Sequence, residues 1–389
     1  GIVEPVEKLN ATIAAASLHG PLESNGSMVL RGMPLNYSLS LGEIIRERTV
    51  PFNAQVSLQS VSVSMKAGGS LVNLRETPQF KGSVKLKGQD LGVVLKSLGM
   101  ILPGADAPIP LDASGEITAS AEALEIKDLA VEVMNVQAKG DLQADLADKV
   151  RFDTQLAINQ IDADKFLAAL KKAPIPTDAE PNAQKGPVAI SKSKLVTKTK
   201  AAKANTPLRF TLPNAITGSM ILTVDAVGYK NGVIRDVLVN AELVDGALRL
   251  GQVSAEFPGG SDFNVQGELT TSKQVPTFTG DVSTVTNDLR SVLSWLSIKP
   301  PPVPADRLRR VNFKSQILVT PEQIQLTGLD VGFDSSRLNG GVILALRKRP
   351  GIGAALVIDR FNADAYLPAE EKIKRAGGSK KSSKSTGKD

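Results

Sequence analysis

Polar and apolar residues alternate with a period of two along most of the chain, the signature of a strand with one face in water. Phe52, Ala54, Val56 and Leu58 alternate with polar neighbours, and Val61, Val63 and Met65 continue in the opposite phase. That switch predicts a bulge near Ser60, because one extra residue moves every later side chain to the other face. The alternation returns in Phe152, Thr154, Leu156 and Ile158, and again in Val237, Val239, Ala241 and Leu243. It continues through Leu248 and Leu250, through Val253, Ala255 and Phe257, and through Leu329, Val331 and Phe333. Val342, Leu344 and Leu346 follow, then Ile352, Ala354, Leu356 and Ile358. Asp245-Gly246, Pro258-Gly259-Gly260 and Asn339-Gly340-Gly341 read as turns between strands. The pattern predicts a mainly β chain of about twenty antiparallel strands.

Helical spacing is scarce. Leu91, Val94, Leu95 and Leu98 form one apolar stripe within Asp90–Leu98, and Leu289, Val292, Leu293 and Leu296 form another within Asp288–Leu296. Short turns are expected near Asp162–Leu170 and Ala363–Leu367. The two helices expose a duplication. Phe80-Lys81-Gly82-Ser83-Val84 leads into the first, and Phe278-Thr279-Gly280-Asp281-Val282 leads into the second, at an offset of 198 residues. A Pro-rich loop follows each. Each copy closes on a related phrase, Ile161-Asp162-Ala163-Asp164-Lys165-Phe166-Leu167 and Phe361-Asn362-Ala363-Asp364-Ala365-Tyr366-Leu367, at an offset of 200.

The organisation predicted is a first β module over residues 1–170, a flexible basic linker over 171–206, a second module over 207–369 and a flexible basic tail over 370–389. The linker and the tail are rich in Lys, Ala, Ser and Thr. They account for the basic balance. The chain carries +6 overall, but the linker alone carries +6 and the tail +4, which leaves the β modules near −4. Attraction to a polyanion or an anionic membrane therefore belongs to the linkers. No stretch is apolar for the roughly 18 residues a membrane helix needs. The chain starts at Gly1 and reads as a piece of something longer, whose anchor or export signal would lie outside it.

The chemistry of the 389 residues is restricted. There is no Cys and one His, which removes disulfides, thiol nucleophiles and Cys- or His-built metal centres. Aromatics are 4 %, too few for base-stacking platforms, so no nucleic acid is expected. His19, in Ser17-Leu18-His19-Gly20-Pro21, reads as a solvated turn residue. Asp162 and Asp164 make a D-x-D pair, but helix capping explains them, and Asn362 with Asp364 repeats the arrangement. Pro258-Gly259-Gly260 lacks the spacing of a phosphate loop. Arg307, Arg309 and Arg310, like Arg347, Lys348 and Arg349, read as basic guards at strand edges. No catalytic residue, metal or cofactor is expected.

What remains is the aliphatic stripe. A long sheet with one greasy face can fold on itself as a sandwich, the commoner outcome, or curl into a trough. Composition does not separate the two, and on the pattern alone the packed sandwich is the expectation.

The repeated phrases resemble the AsmA family of bacterial envelope proteins. The resemblance rests on the Phe-x-Gly-x-Val strand before the Asp-Leu-x-x-Val-Leu-x-x-Leu helix, the Pro-rich loop, the run of strands and the closing phrase. Gly246-Ala247-Leu248-Arg249-Leu250 running to Phe257-Pro258-Gly259-Gly260 is similar to the family's hairpin. The resemblance implies a long curved antiparallel sheet of repeated modules forming an apolar groove, with a few short amphipathic helices, akin to chorein-type lipid-bridging proteins. It implies a periplasmic body anchored to the inner membrane of a Gram-negative bacterium, with phospholipids as cargo and a role in lipid transport and outer-membrane assembly. It carries no catalytic residue. The groove candidates are Val131, Val133, Leu156, Ile158, Val239, Leu248, Leu250, Val331, Leu344, Leu356 and Ile358. The rival expectations are a non-catalytic envelope scaffold of packed sandwiches that binds envelope proteins, and a hydrolase or transferase with an unrecognised carboxylate site.

Overall fold

The structure, a computed structural model, describes residues 6–90, 109–165 and 212–366, apart from residues 18, 31, 32, 46–48, 59–61, 134, 148, 273, 301, 348 and 362. Past Asp90, the first expected helix lies outside these residues, as do the linker over 171–206 and the tail over 370–389.

The described chain is a single sheet of nineteen strands. These are β1 (Val6–Ala15), β2 (Leu22–Leu30), β3 (Met33–Leu41), β4 (Val50–Leu58), β5 (Val63–Val72), β6 (Gln79–Gly88), β7 (Leu111–Ala119), β8 (Ala123–Val133), β9 (Val136–Asp145), β10 (Val150–Asp162), β11 (Ile216–Tyr229), β12 (Gly232–Val244), β13 (Ala247–Phe257), β14 (Ser261–Ser272), β15 (Val275–Thr286), β16 (Val311–Val319), β17 (Gln323–Phe333), β18 (Ser336–Ala345) and β19 (Gly351–Ile358). Helix α1 (Leu289–Trp295) and a 3₁₀ turn (Ala363–Tyr366) also lie among the described residues, and residues 163–165 are helical. Each strand pairs with the next in sequence, and the principal contacts of every strand are with those neighbours. The sheet is on the order of 90 Å across the strands at about 4.8 Å each.

The pairings are antiparallel except one. β10 and β11 run parallel, with Val150 beside Ile216 and Ile158 beside Val224. The sheet is therefore mixed, where alternation alone suggested an antiparallel one throughout. The connection from Asp162 to Ile216 must return along the full length of β10, about 40 Å at 3.3 Å per residue. A long intervening segment is what such a crossover requires.

The duplication holds down to the hydrogen-bond register. Strands β2–β10 and β11–β19 make two nine-strand units. Gly69 faces Gly82 in the first and Gly267 faces Gly280 in the second, again 198 residues apart. The β7/β8 register breaks between Ser114 and Glu116, and β16/β17 breaks between Lys314 and Gln316. The extra residue is Asp128 in one copy and Gly328 in the other, both with left-handed φ (49° and 58°). Ser120 and Thr320 each cap the following hairpin through the amides two and three residues on.

Three local expectations are corrected. Leu58 pairs with Val63, so the phase switch marks a hairpin reversal and not a bulge; Ser60 itself lies outside the described residues. Asn339-Gly340-Gly341 is not a turn but the middle of β18, where Gly340 has a packing role. The sheet does not fold into a sandwich: the described strands form one sheet and no second sheet covers it. The other two turn signals hold. Asp245-Gly246 joins β12 to β13 with both φ positive, and Pro258-Gly259-Gly260 joins β13 to β14.

Candidate functional site: a continuous aliphatic face

Side chains alternate across a strand, and directly paired residues share a face. The register can therefore be followed from strand to strand. From Leu156 it passes to Gly140, Leu129 and on to Val131 and Val133 of the same strand, then to Ala113 and Leu111. It continues to Leu86 and Gly88, to Met65 and Val63, to Val56 and Leu58, and to Tyr37 and Leu39. In the other direction Leu156 and Ile158 lie beside Leu222 and Val224, which face Val239 and Val237. Ala241 and Leu243 then face Leu250 and Leu248, and those face Gly267 and Leu269. The path ends through Phe313, Val331 and Leu338 at Ile358, with Leu344 facing Ile352, and Leu356 facing Gly340. All eleven candidate residues lie on this one face. Their immediate neighbours on each strand, such as Gln155, Arg249, Asp330 and Asn339, lie on the other.

The apolar face is packed sideways but not covered. Its aliphatics are mostly half-buried, and only Leu35, Val50, Val63, Leu111, Val224, Ala241, Leu308 and Leu329 are buried hydrophobics among the described residues. A packed cluster centres on Val63 and Leu111, with Leu58, Leu86, Ala113, Val131 and Val133 against them. Polar residues do occur on this face, and several of them bond within the sheet. Ser261 Oγ pairs with Thr286 Oγ1 at 2.7 Å, Ser315 Oγ bonds the Thr327 carbonyl oxygen at 2.9 Å, and Thr154 Oγ1 donates to the Asp141 carbonyl at 2.9 Å.

Glycines show which side is the inside of the bend. On the aliphatic face, a Cβ on Gly69 would run into the Lys81 carbonyl and Gly82 Cα, and one on Gly340 would run into the Ala355 carbonyl. On the polar face, a Cβ on Gly332 would come no nearer than 3.7 Å to any atom, and one on Gly353 would meet nothing. Neighbouring strands thus close up toward the aliphatic side.

The two long edges of the sheet differ. Strands β6 and β15 point the same way, so the connections that follow them leave from one edge. Helix α1 sits there. Asp288 caps it through the Ser291 amide and hydroxyl, and that hydroxyl bond, outweighing partial burial, holds the Asp288 carboxyl below its usual range. Trp295 Nε1 donates to the Tyr229 carbonyl at 2.8 Å, and its ring packs on Tyr229 and Phe257, over Gly232. Arg290 donates to the carbonyls of Val303, Pro304 and Arg307, which ties the Pro-rich loop to the helix. Farther along the same edge, Tyr366 stacks on Phe333 and Phe361 and donates to Asp334 at 2.9 Å. Burial, then that bond and charge, push the Tyr366 phenol up to about 12. Burial opposes ionisation of Asp334, but the Tyr366 hydroxyl and the amides of Leu308, Arg309 and Arg310 outweigh it and hold its pKa low. Tyr229, Phe257, Trp295, Phe333, Phe361 and Tyr366 are thus gathered along this edge, a clustering the sequence pattern did not reveal.

The remaining sequence candidates have structural roles. Asp162 accepts from the Lys165 amide at 3.0 Å, as a cap does, while Asp164 accepts from the Lys230 amide of the β11–β12 turn at 2.7 Å. His19 is exposed in its turn. Among the described residues no three His, Cys, Asp or Glu gather as metal ligands, and no helix is long and apolar enough to cross a membrane. Among the described residues, two hollows lie on the polar face. One of about 590 Å³ is lined by Lys139, Asp141, Gln155, Ala157 and Ile221, and one of about 370 Å³ by Ser38, Asn53, Gln55, Lys66, Ser83 and Lys85. Both are shallow. No family model, curated protein or solved structure matches the chain.

Proposed function

We propose that the chain is a non-enzymatic, phospholipid-binding segment of an AsmA-like envelope protein, whose aliphatic face holds acyl chains on their way across an aqueous space. The reading rests on one observation: a mainly aliphatic face that continues from β3 to β19 with no covering layer among the described residues. Exposing an acyl chain to water costs about 0.8 kcal/mol per CH₂. A face this long removes much of that cost along its whole length. Several of its few hydroxyls bond within the sheet, which leaves little on it to grip a particular head group, and a lipid would slide. By the same reading the segment works in the periplasm of a Gram-negative bacterium, within a protein anchored to the inner membrane, and supports outer-membrane assembly.

The test is direct. The purified chain is extracted with organic solvent and the extract is analysed by mass spectrometry, alongside native mass spectrometry of the intact protein. Co-purifying phospholipid is the expected result. A folded chain that carries none, and takes up none from vesicles of phosphatidylethanolamine and phosphatidylglycerol, would refute the proposal.

A further inference from the structure

Strand β19 is an edge of unusual character. Every residue from Gly351 to Ile358 is exposed, with Ile352 at 78 %, Val357 at 69 %, Ile358 at 51 % and Leu356 at 45 %. Soluble sheets ordinarily guard such edges with charges, proline or a bulge. The opposite edge, β1, has those guards: Glu7 and Lys8 lie at a register break, and Lys8 has φ 51°. Within Gly351–Ile358 there is no charge and no proline, the basic guards and Pro350 lying before the strand and Asp359 and Arg360 after it, and the register of β19 with β18 is unbroken. Its counterpart in the first unit, β10, carries another strand on the corresponding edge.

The residues of β19 are also self-complementary. Turned about Ala355 in antiparallel register, Ala354 meets Leu356, Gly353 meets Val357, and Ile352 meets Ile358. A small residue faces a larger one in the two inner pairs, and the outer pair sets Ile against Ile. The backbone is set for this pairing. The Asp359 amide donates to the Arg337 carbonyl at 3.0 Å, so odd-numbered residues of β19 bond to β18. The even-numbered residues therefore aim their amides and carbonyls outward, where an antiparallel partner would accept about eight hydrogen bonds.

We infer that two copies of this chain join through β19, pairing antiparallel about Ala355. A two-fold axis perpendicular to the sheet keeps both aliphatic faces on the same side. It also closes the assembly at two copies, as isologous contacts do. The inference does not depend on what the aliphatic face carries.

The absence of cysteine from the chain makes the test clean. Ala355 alone would lie opposite itself, in a non-hydrogen-bonded pair with Cα atoms about 4.5 Å apart, within disulfide range. Val357 would lie about 14 Å from its own copy, at four residues of strand rise. Mild oxidation of full-length Ala355→Cys should give a covalent dimer, and Val357→Cys should not. In sedimentation velocity the unmodified chain should dimerise. Ala354→Pro removes one outward amide and none of the β18 ladder, a position where edge strands tolerate proline. It should weaken self-association at least about 100-fold while circular dichroism stays unchanged. A chain that remains monomeric at about 100 μM overturns the inference, because an exposed apolar edge that pairs should do so well below that concentration. Equal cross-linking of Ala355→Cys and Val357→Cys overturns it too, because only a parallel partner places every residue opposite itself.

Discussion

Leu156 and Leu222 stand side by side where β10 meets β11, near the middle of the sheet and on its aliphatic face. Replacing both with Asp places two carboxylates across the path of a bound acyl chain. At about 1.3 Å of chain per CH₂ and 4.8 Å per strand, each strand underlies about four CH₂ groups. Full desolvation of four is worth about 3 kcal/mol, and contact on one side about half of that. Two strands then account for about 3 kcal/mol, which is about a 100-fold loss of lipid occupancy. The fold should survive. Both leucines are half-buried, the backbone ladder is untouched, and each substitution forfeits about 1 kcal/mol of packing. The control is Gln155→Asp with Thr223→Asp, adjacent positions on the polar face. Titration with a fluorescent phospholipid, with circular dichroism as the folding check, separates the cases. If the Leu pair binds lipid as well as the unmodified chain, or the control pair loses as much, the aliphatic face is not the binding surface.

Other outcomes follow from the edge that carries α1 and from the backbone. Trp295→Ala should cost about 3 kcal/mol in urea unfolding followed by circular dichroism, since it removes a packed ring and the hydrogen bond to Tyr229. Gly328→Val should cost about 2 kcal/mol even though its Cβ would meet nothing within 4 Å, because the price is left-handed φ alone. Tyr366 should ionise near pH 12 in an absorbance titration. Its folded pKa lies above the unfolded value near 10, so its stabilising share is complete below pH 10 and lost as the pH rises toward 12. Tyr366→Phe should remove that late step.

Much of the aliphatic face was legible because alternation is a local signal. Within Phe152–Ile158 or Leu248–Leu250, a residue's face follows from its neighbours, and all eleven candidates fall together. What alternation does not encode is direction. A hairpin and a bulge both reverse the phase, so Leu58 to Val63 read as the wrong one. Gly340 and Gly341 have the composition of a turn, yet Gly340 is required where strands close up on the inside of a bend. Strand polarity leaves no trace in the pattern either, so the parallel β10/β11 junction was invisible. Nor does alternation say whether a greasy face is covered. One open sheet and two packed sheets have the same strands, and long-range pairing alone tells them apart.

That junction has a geometric effect beyond joining two halves. A unit of nine strands is an odd number, so its last strand runs in the same direction as its first. Had β11 been added antiparallel, the second unit would have been turned end for end, and α1 would sit across the sheet from the connection that follows β6. The parallel step instead makes the units related by translation. Anything moving along the sheet meets the same flank on the same hand in each unit, and a third unit added by the same rule would extend the track without inverting it.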